Sequence, residues 1–196
     1  MTRPQDELVE VLSLYRDLGF FAQRNALSDA DLAAELGNEY RQSSPLAPEF
    51  KTDYPGWDIV LLARDEDRTW WYDPETVHHD DRVYAELLER LARISRGMFQ
   101  PNEIAEVWDG LIGPIHVRFR AAGQQHQIDL GEMNTDFMDP DFLAYVEPLV
   151  KASTPYEVVH LCTGDQTDCI VLLTPSERER LQRERPALFD FENAYG

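Results

Sequence analysis

The sequence predicts an α+β fold, in which an N-terminal helical hairpin is followed by a mainly antiparallel sheet built from hairpins with helices packed on it. Three observations carry this. Apolar residues recur at helical spacing over residues 5–18, 32–40 and 82–96. Two stretches, 114–130 and 157–173, place β-forming residues on either side of a turn. Helices alternate with hairpins instead of single strands, which argues against a parallel, doubly wound sheet. At 196 residues and 43% hydrophobic composition, the chain can bury roughly 70% of its unfolded surface and needs no staples.

Each element follows from its local residues. Leu8, Val11, Leu12, Tyr15 and Leu18 line the first helix, and Gly19 stops it. Ser28 is placed to cap a second helix carrying Leu32, Ala33, Leu36 and Tyr40, and Phe20 and Phe21 between the two are expected to be buried. Pro45, Pro48 and Pro55 forbid a continuous helix, so residues 43–56 read as a connector. The apolar run Asp58–Ala63 reads as a short strand, with Trp70-Trp71-Tyr72 as its partner beyond a turn at 65–68. Tyr84, Leu87, Leu88, Leu91 and Ile94 give residues 82–96 the clearest amphipathic pattern of the chain. Pro101 is expected to open a further helix reaching Trp108.

The hairpin 114–130 can be registered by arithmetic. A two-residue turn at Ala122-Gly123 puts Phe119 opposite His126, Val117 opposite Ile128 and Ile115 opposite Leu130, all on one face. His116 opposite Asp129, Arg118 opposite Gln127 and Arg120 opposite Gln125 then share the other. Asp139 followed by Pro140 predicts the start of a helix bearing Phe142, Leu143, Tyr145 and Val146. A second hairpin spans 157–162 and 168–173. Thr174-Pro175-Ser176-Glu177 matches a capping box and starts a terminal helix rich in arginine. The organisation expected is a helical hairpin over 1–42, the connector 43–56, an α+β domain over 57–189 and a tail over 190–196.

Charge bounds the function. The chain holds 37 Asp plus Glu against 18 Lys plus Arg, a net −19, with Lys51 and Lys151 its only lysines. Such a charge repels nucleic acid and anionic membranes and selects basic or neutral protein partners. Salt-adapted or arginine-biased proteomes produce the same acidity without functional meaning. Six acids and no Lys or Arg occupy residues 121–150, so the field is unopposed there in sequence. Mimicry of nucleic acid needs the carboxylates gathered on one face, because duplex DNA carries about one charge per 110 Å² against roughly one per 500 Å² for this chain. No apolar run approaches the ~18 residues of a membrane span, and the first ten residues lack a signal-peptide core. With two cysteines, the expected compartment is the reducing cytoplasm.

No catalytic motif is present: there is no Gly-x-Ser-x-Gly elbow, phosphate loop or dinucleotide fingerprint. Paired carboxylates carry no information in a chain with 37 acids. His78, His79, Asp80 and Asp81 form the most metal-like cluster, since imidazole and carboxylate both ligate transition metals. Adjacent residues rarely converge on one ion, however, and Asp80 and Asp81 stand where the helix 82–96 wants a cap. Asp65 and Asp67, like Asp136, Asp139 and Asp141, depart from a calcium loop, with Trp70 at the glycine position and Thr76 at the final Glu of the former. Cys162 and Cys169 fall opposite one another if Asp165-Gln166 is a two-residue turn. A cross-strand disulfide or a Cys162–His160 pair is then conceivable, although free thiols suit a reducing compartment. Trp57, Trp70 and Trp71 read as core residues rather than a sugar-stacking platform.

What remains is a binding surface made of Asp129, Glu132, Asp136, Asp139 and Asp141, which would steer a basic protein toward the chain. The expectation is a non-enzymatic, acidic protein-binding module without a cofactor. A small acidic α+β chain lacking catalytic motifs is similar in type to bacterial immunity proteins, which inhibit a basic toxin domain by covering it; no motif carries that likeness. The alternatives are a hydrolase, metal-dependent through His78, His79, Asp80 and Asp81 or carboxylate-dependent, and a nucleic-acid mimic.

Overall fold

Caps and turn residues set the limits of most elements where the sequence places them. The computed structural model describes residues 4–43, 55–75, 77–79, 81–133 and 136–191. Helices α1 (Pro4–Asp17) and α2 (Asp29–Ser43) form the N-terminal hairpin, with the Ser28 hydroxyl accepting from the Asp31 N–H at 3.1 Å. Then follow α3 (Pro55–Leu62), β1 (Thr69–Tyr72), α4 (Val83–Ile94), β2 (Asn102–Trp108), β3 (Ile115–Ala121) and β4 (Gln124–Leu130). Helix α5 (Pro140–Ser153) leads to β5 (Glu157–Leu161), β6 (Asp168–Leu173), α6 (Pro175–Glu184) and a 3-10 turn over Pro186–Phe189. The fold is α+β. No helix among the described residues is long and apolar enough to cross a membrane. The connector residues 44–54 and the last five residues of the tail lie outside the described residues.

The strands divide into two antiparallel sheets, ordered β1-β6-β5 and β2-β3-β4. The first is buried on both faces. Val159, Leu161, Cys169, Val171 and Leu173 pack with α1, α2, α3, α6 and the 3-10 turn, so the N-terminal hairpin, Phe20 and Phe21 included, shares a core with this sheet. Trp70, Ile170 and Leu172 point the other way, into a second core with α4, α5 and the inner face of the second sheet. Burial on both faces is why β6 reads Cys-Ile-Val-Leu-Leu without polar alternation. The second sheet buries one face only. Its β3–β4 register is the one the arithmetic predicts, from Ile115 opposite Leu130 to Arg120 opposite Gln125. Ala122 and Gly123 turn the chain with φ of 50° and 76°, the pair of positive values that a type I′ hairpin requires.

Four expectations are corrected. Residues 55–62 are helical, not a strand, and β1 pairs with β6 instead. A short apolar run fits a buried strand and a buried helix equally; here Trp57 and Leu61, then Asp58 and Leu62, are buried four residues apart. Residues 102–108 form strand β2, not a helix: Ile104 and Trp108 turn inward against the second core while Ala105 and Val107 face out, and β3 supplies the partner. Arg82, not an aspartate, occupies the N-cap of α4 and gives no side-chain cap. The first-turn N–H of Ala85 is satisfied from β2, by the Glu106 carboxylate at 2.9 Å, so Asp81 is not needed there; Asp80 lies outside the described residues. Finally, Leu161 rather than Cys162 faces Cys169. Both cysteines are free, and the Cys162 thiol donates to the Asp190 carbonyl at 3.5 Å.

Candidate functional site

Three stretches without a single Lys or Arg, 73–81, 97–117 and 121–150, are brought together beside the second sheet. Backbone hydrogen bonds stitch them: Val77 N–H to the Asp136 carbonyl at 3.0 Å, Met138 N–H to Pro74 at 3.0 Å, and Met133 N–H to Ile112 at 2.7 Å. The tip of the β2–β3 connection, Asp109-Gly110-Leu111-Ile112-Gly113, carries two bare aliphatic side chains. Leu111 is 72% exposed and Ile112 54%, and Val107 on the outer face of β2 is 53% exposed. Phe137 is exposed nearby in sequence to Met133, while Trp108 and Met133 are half-buried. A hollow of about 350 Å³ lies among Leu111, Ile112, Trp108, Met133, His78 and Asp136.

Carboxylates rim this apolar centre. Asp109 and Asp129 are joined through His116, whose Nε2 is 3.3 Å from Asp109 and whose Nδ1 is 2.7 Å from Asp129. Gln127 donates to both Asp129 oxygens, at 2.9 and 3.1 Å. The Asp129 hydrogen bond, then that of Asp109, holds the His116 imidazole above its usual range. The reciprocal bond from His116, with help from Gln127, holds Asp129 below the usual carboxylate range. Glu132 and Asp136 are exposed on the loop after β4. Asp139 is the N-cap of α5, accepting from the Asp141 N–H at 2.9 Å, and Asp141 is exposed in the first turn. Of the five acids singled out in sequence, Asp136 therefore lines the hollow, Asp129 is tied into the His116 bridge, and Asp139 is committed to a cap.

His78 and His79 also line the hollow. Among the described residues no group of three or more His, Cys, Asp or Glu is placed to hold a metal ion. Trp57 and Trp70 are buried, leaving Trp71 exposed among the three tryptophans considered for stacking. Sequence reasoning missed Asp109, Leu111, Ile112 and Val107. The available signal was an apolar pair between glycines inside a stretch lacking basic residues.

A second titratable cluster crosses the end of the first sheet. His160 Nδ1 lies 3.1 Å from both Asp168 oxygens, its Nε2 lies 3.5 Å from Glu147 of α5, and the Tyr72 hydroxyl donates to Asp168 at 2.9 Å. A cleft of about 340 Å³ beside it is lined by Thr163, Thr167 and Cys162. The Asp168 hydrogen bond outweighs burial and holds His160 above its usual range. Burial opposes ionisation of Asp168, but the bonds from His160 and Tyr72 hold it low. Both ring nitrogens of His160 face carboxylates, an arrangement that favours the protonated ring. No protein-family model, curated protein or solved structure matches this chain.

Proposed function

We propose that this chain is a non-enzymatic protein-binding module whose docking surface is the apolar centre at Leu111, Ile112 and Val107 with its acidic rim. The partner is a basic protein presenting an apolar side chain among cations, and an immunity-type inhibitor is the form of activity this best fits. The observation that carries the reading is the convergence of three segments free of Lys and Arg around bare aliphatic side chains. Buried apolar anchors supply most of the affinity at protein interfaces. A rim of one sign accelerates encounter and rejects competitors of like charge.

The two parts of the surface separate kinetically. A basic protein recovered with the tagged chain is used in stopped-flow association. Neutralising the rim (Asp109→Asn, Asp129→Asn, Glu132→Gln, Asp136→Asn, Asp141→Asn) should slow association about tenfold at low salt, with the difference closing at high salt. Leu111→Ser with Ile112→Ser should instead raise the dissociation rate and leave association nearly unchanged. An unchanged on-rate in the neutralised variant removes the rim from recognition.

A further inference from the structure

Three of the five histidines belong to this one surface. His78 and His79 reach the hollow from the segment after β1, and the charged residue sharing it with them is Asp136. His116 reaches the rim from β3, between Asp109 on the β2–β3 connection and Asp129 on β4; Arg118 of the same strand also acts on Asp129. The three converging segments hold no Lys or Arg, and their fourth histidine, His126, is buried opposite Phe119 on the inner face of the sheet, so His78, His79 and His116 are the imidazoles these segments bring to the surface. Imidazoles titrate between about pH 5 and 8, where exposed carboxylates stay ionised.

Resting on the docking surface proposed above, we propose that it is proton-gated: protonation of His78, His79 and His116 cancels part of its negative field and releases a cationic partner as the pH falls. At high pH the neutral imidazoles add no charge against the carboxylates of the rim. On acidification His116 becomes an internal counter-ion to Asp109 and Asp129, and charge at His78 and His79 repels a cation entering the hollow. The two carboxylate neighbours of His116 favour its charged ring. Three charge contacts of ordinary surface strength compound to about a tenfold change in Kd.

The test uses an end-blocked peptide of alternating arginine and leucine, which has no group titrating in this range. Its Kd is measured by fluorescence anisotropy from about pH 8 to 5.5 at constant ionic strength. The intact chain should bind about tenfold more weakly at the acid end. The triple variant His78→Gln, His79→Gln, His116→Gln, whatever its affinity at pH 8, should lose the dependence, its Kd changing less than about twofold between the two ends. Binding that ignores pH, or a triple variant that keeps the full pH dependence, overturns the gate and leaves the docking surface standing. No binding at pH 8, or binding indifferent to Leu111→Ser with Ile112→Ser, overturns the docking surface and the gate with it.

Discussion

Replacing Arg185 by methionine isolates a buried charge in the first core, and the consequence can be worked out. Asp58 on α3 is fully buried at 0% exposure. Its carboxylate accepts from Tyr15 of α1 and from the Arg185 guanidinium, whose Nε is 3.2 Å away. Burial holds the Asp58 carboxyl above its ordinary value of 3.8, against the pull of Arg185 and the Tyr15 hydroxyl. Burial also works against the guanidinium charge, yet the bond and charge of Asp58 outweigh it and raise Arg185. Breaking such a pair from one side costs about 3–5 kcal/mol.

An independent limit comes from protonation. The stranded carboxyl can escape by taking up a proton, which for a group of ordinary pKa 3.8 costs about 4.4 kcal/mol at pH 7 and about 1 kcal/mol at pH 4.5, at roughly 1.36 kcal/mol per unit. The sign follows from linkage. An acid whose folded pKa is raised holds its proton in the native state after the unfolded chain has lost it, so stability falls as pH rises above 3.8 toward the folded value. Arg185→Met should therefore lose about 3–4 kcal/mol at pH 7 and only about 1 kcal/mol at pH 4.5. Urea denaturation followed by circular dichroism at both pH values measures this, and adding Asp58→Asn should flatten the pH dependence. A loss at pH 7 below about 1 kcal/mol, or one equal at both pH values, would refute the buried-pair reasoning.

Two further predictions concern the sheets. His160 is raised, so its contribution to stability is full below the unfolded imidazole pKa of about 6.5 and fades as pH rises through its folded value. Asp168 is lowered, so its share persists above about 3.9 and fades only as pH falls through its depressed folded value. The Tm advantage of the intact chain over His160→Gln should accordingly be largest near pH 5–6 and shrink toward pH 9; a difference constant across that range would show that the row is not an ion pair. Ala122 holds a φ of 50° in the β3–β4 turn, a conformation that strains an L-residue and suits glycine. Ala122→Gly should raise stability by about 0.5–1 kcal/mol, read by urea denaturation, and a loss of that size would contradict the turn geometry.

Where structure depends on near neighbours, the residues announce it. Thr174 and Glu177 form the capping box their spacing predicts, Asp139 and Pro140 open α5, and the β3–β4 ladder follows from one glycine turn plus a period of two. The β5–β6 register differs from the expected one by a single residue, for the same reason in reverse. Nothing in Thr163–Thr167 dictates a loop length: Thr163 and Asp165 fold this loop through side-chain bonds to Thr167, and one extra residue moves Cys162 off Cys169.

Of the candidate surface, sequence alone revealed half: the acidic stretch 121–150 and the histidines at 78 and 79. The apolar tip at Leu111 and Ile112 was hidden by the expectation of a helix over 101–108, since apolar content does not say which side chains stay bare.

The N-terminal helical hairpin, the β3–β4 hairpin, the capped starts of α5 and α6, the α+β class and the surplus of carboxylates belong to the sequence by itself, because propensity, capping and side-chain period act within a few residues. The rest was settled only by the tertiary structure. Asp58 meets Arg185 across 127 positions of sequence, and residues 73–81 and 97–117 are folded beside 121–150. Such meetings are decided by which faces bury against which core, a competition among all the elements at once that no local pattern encodes.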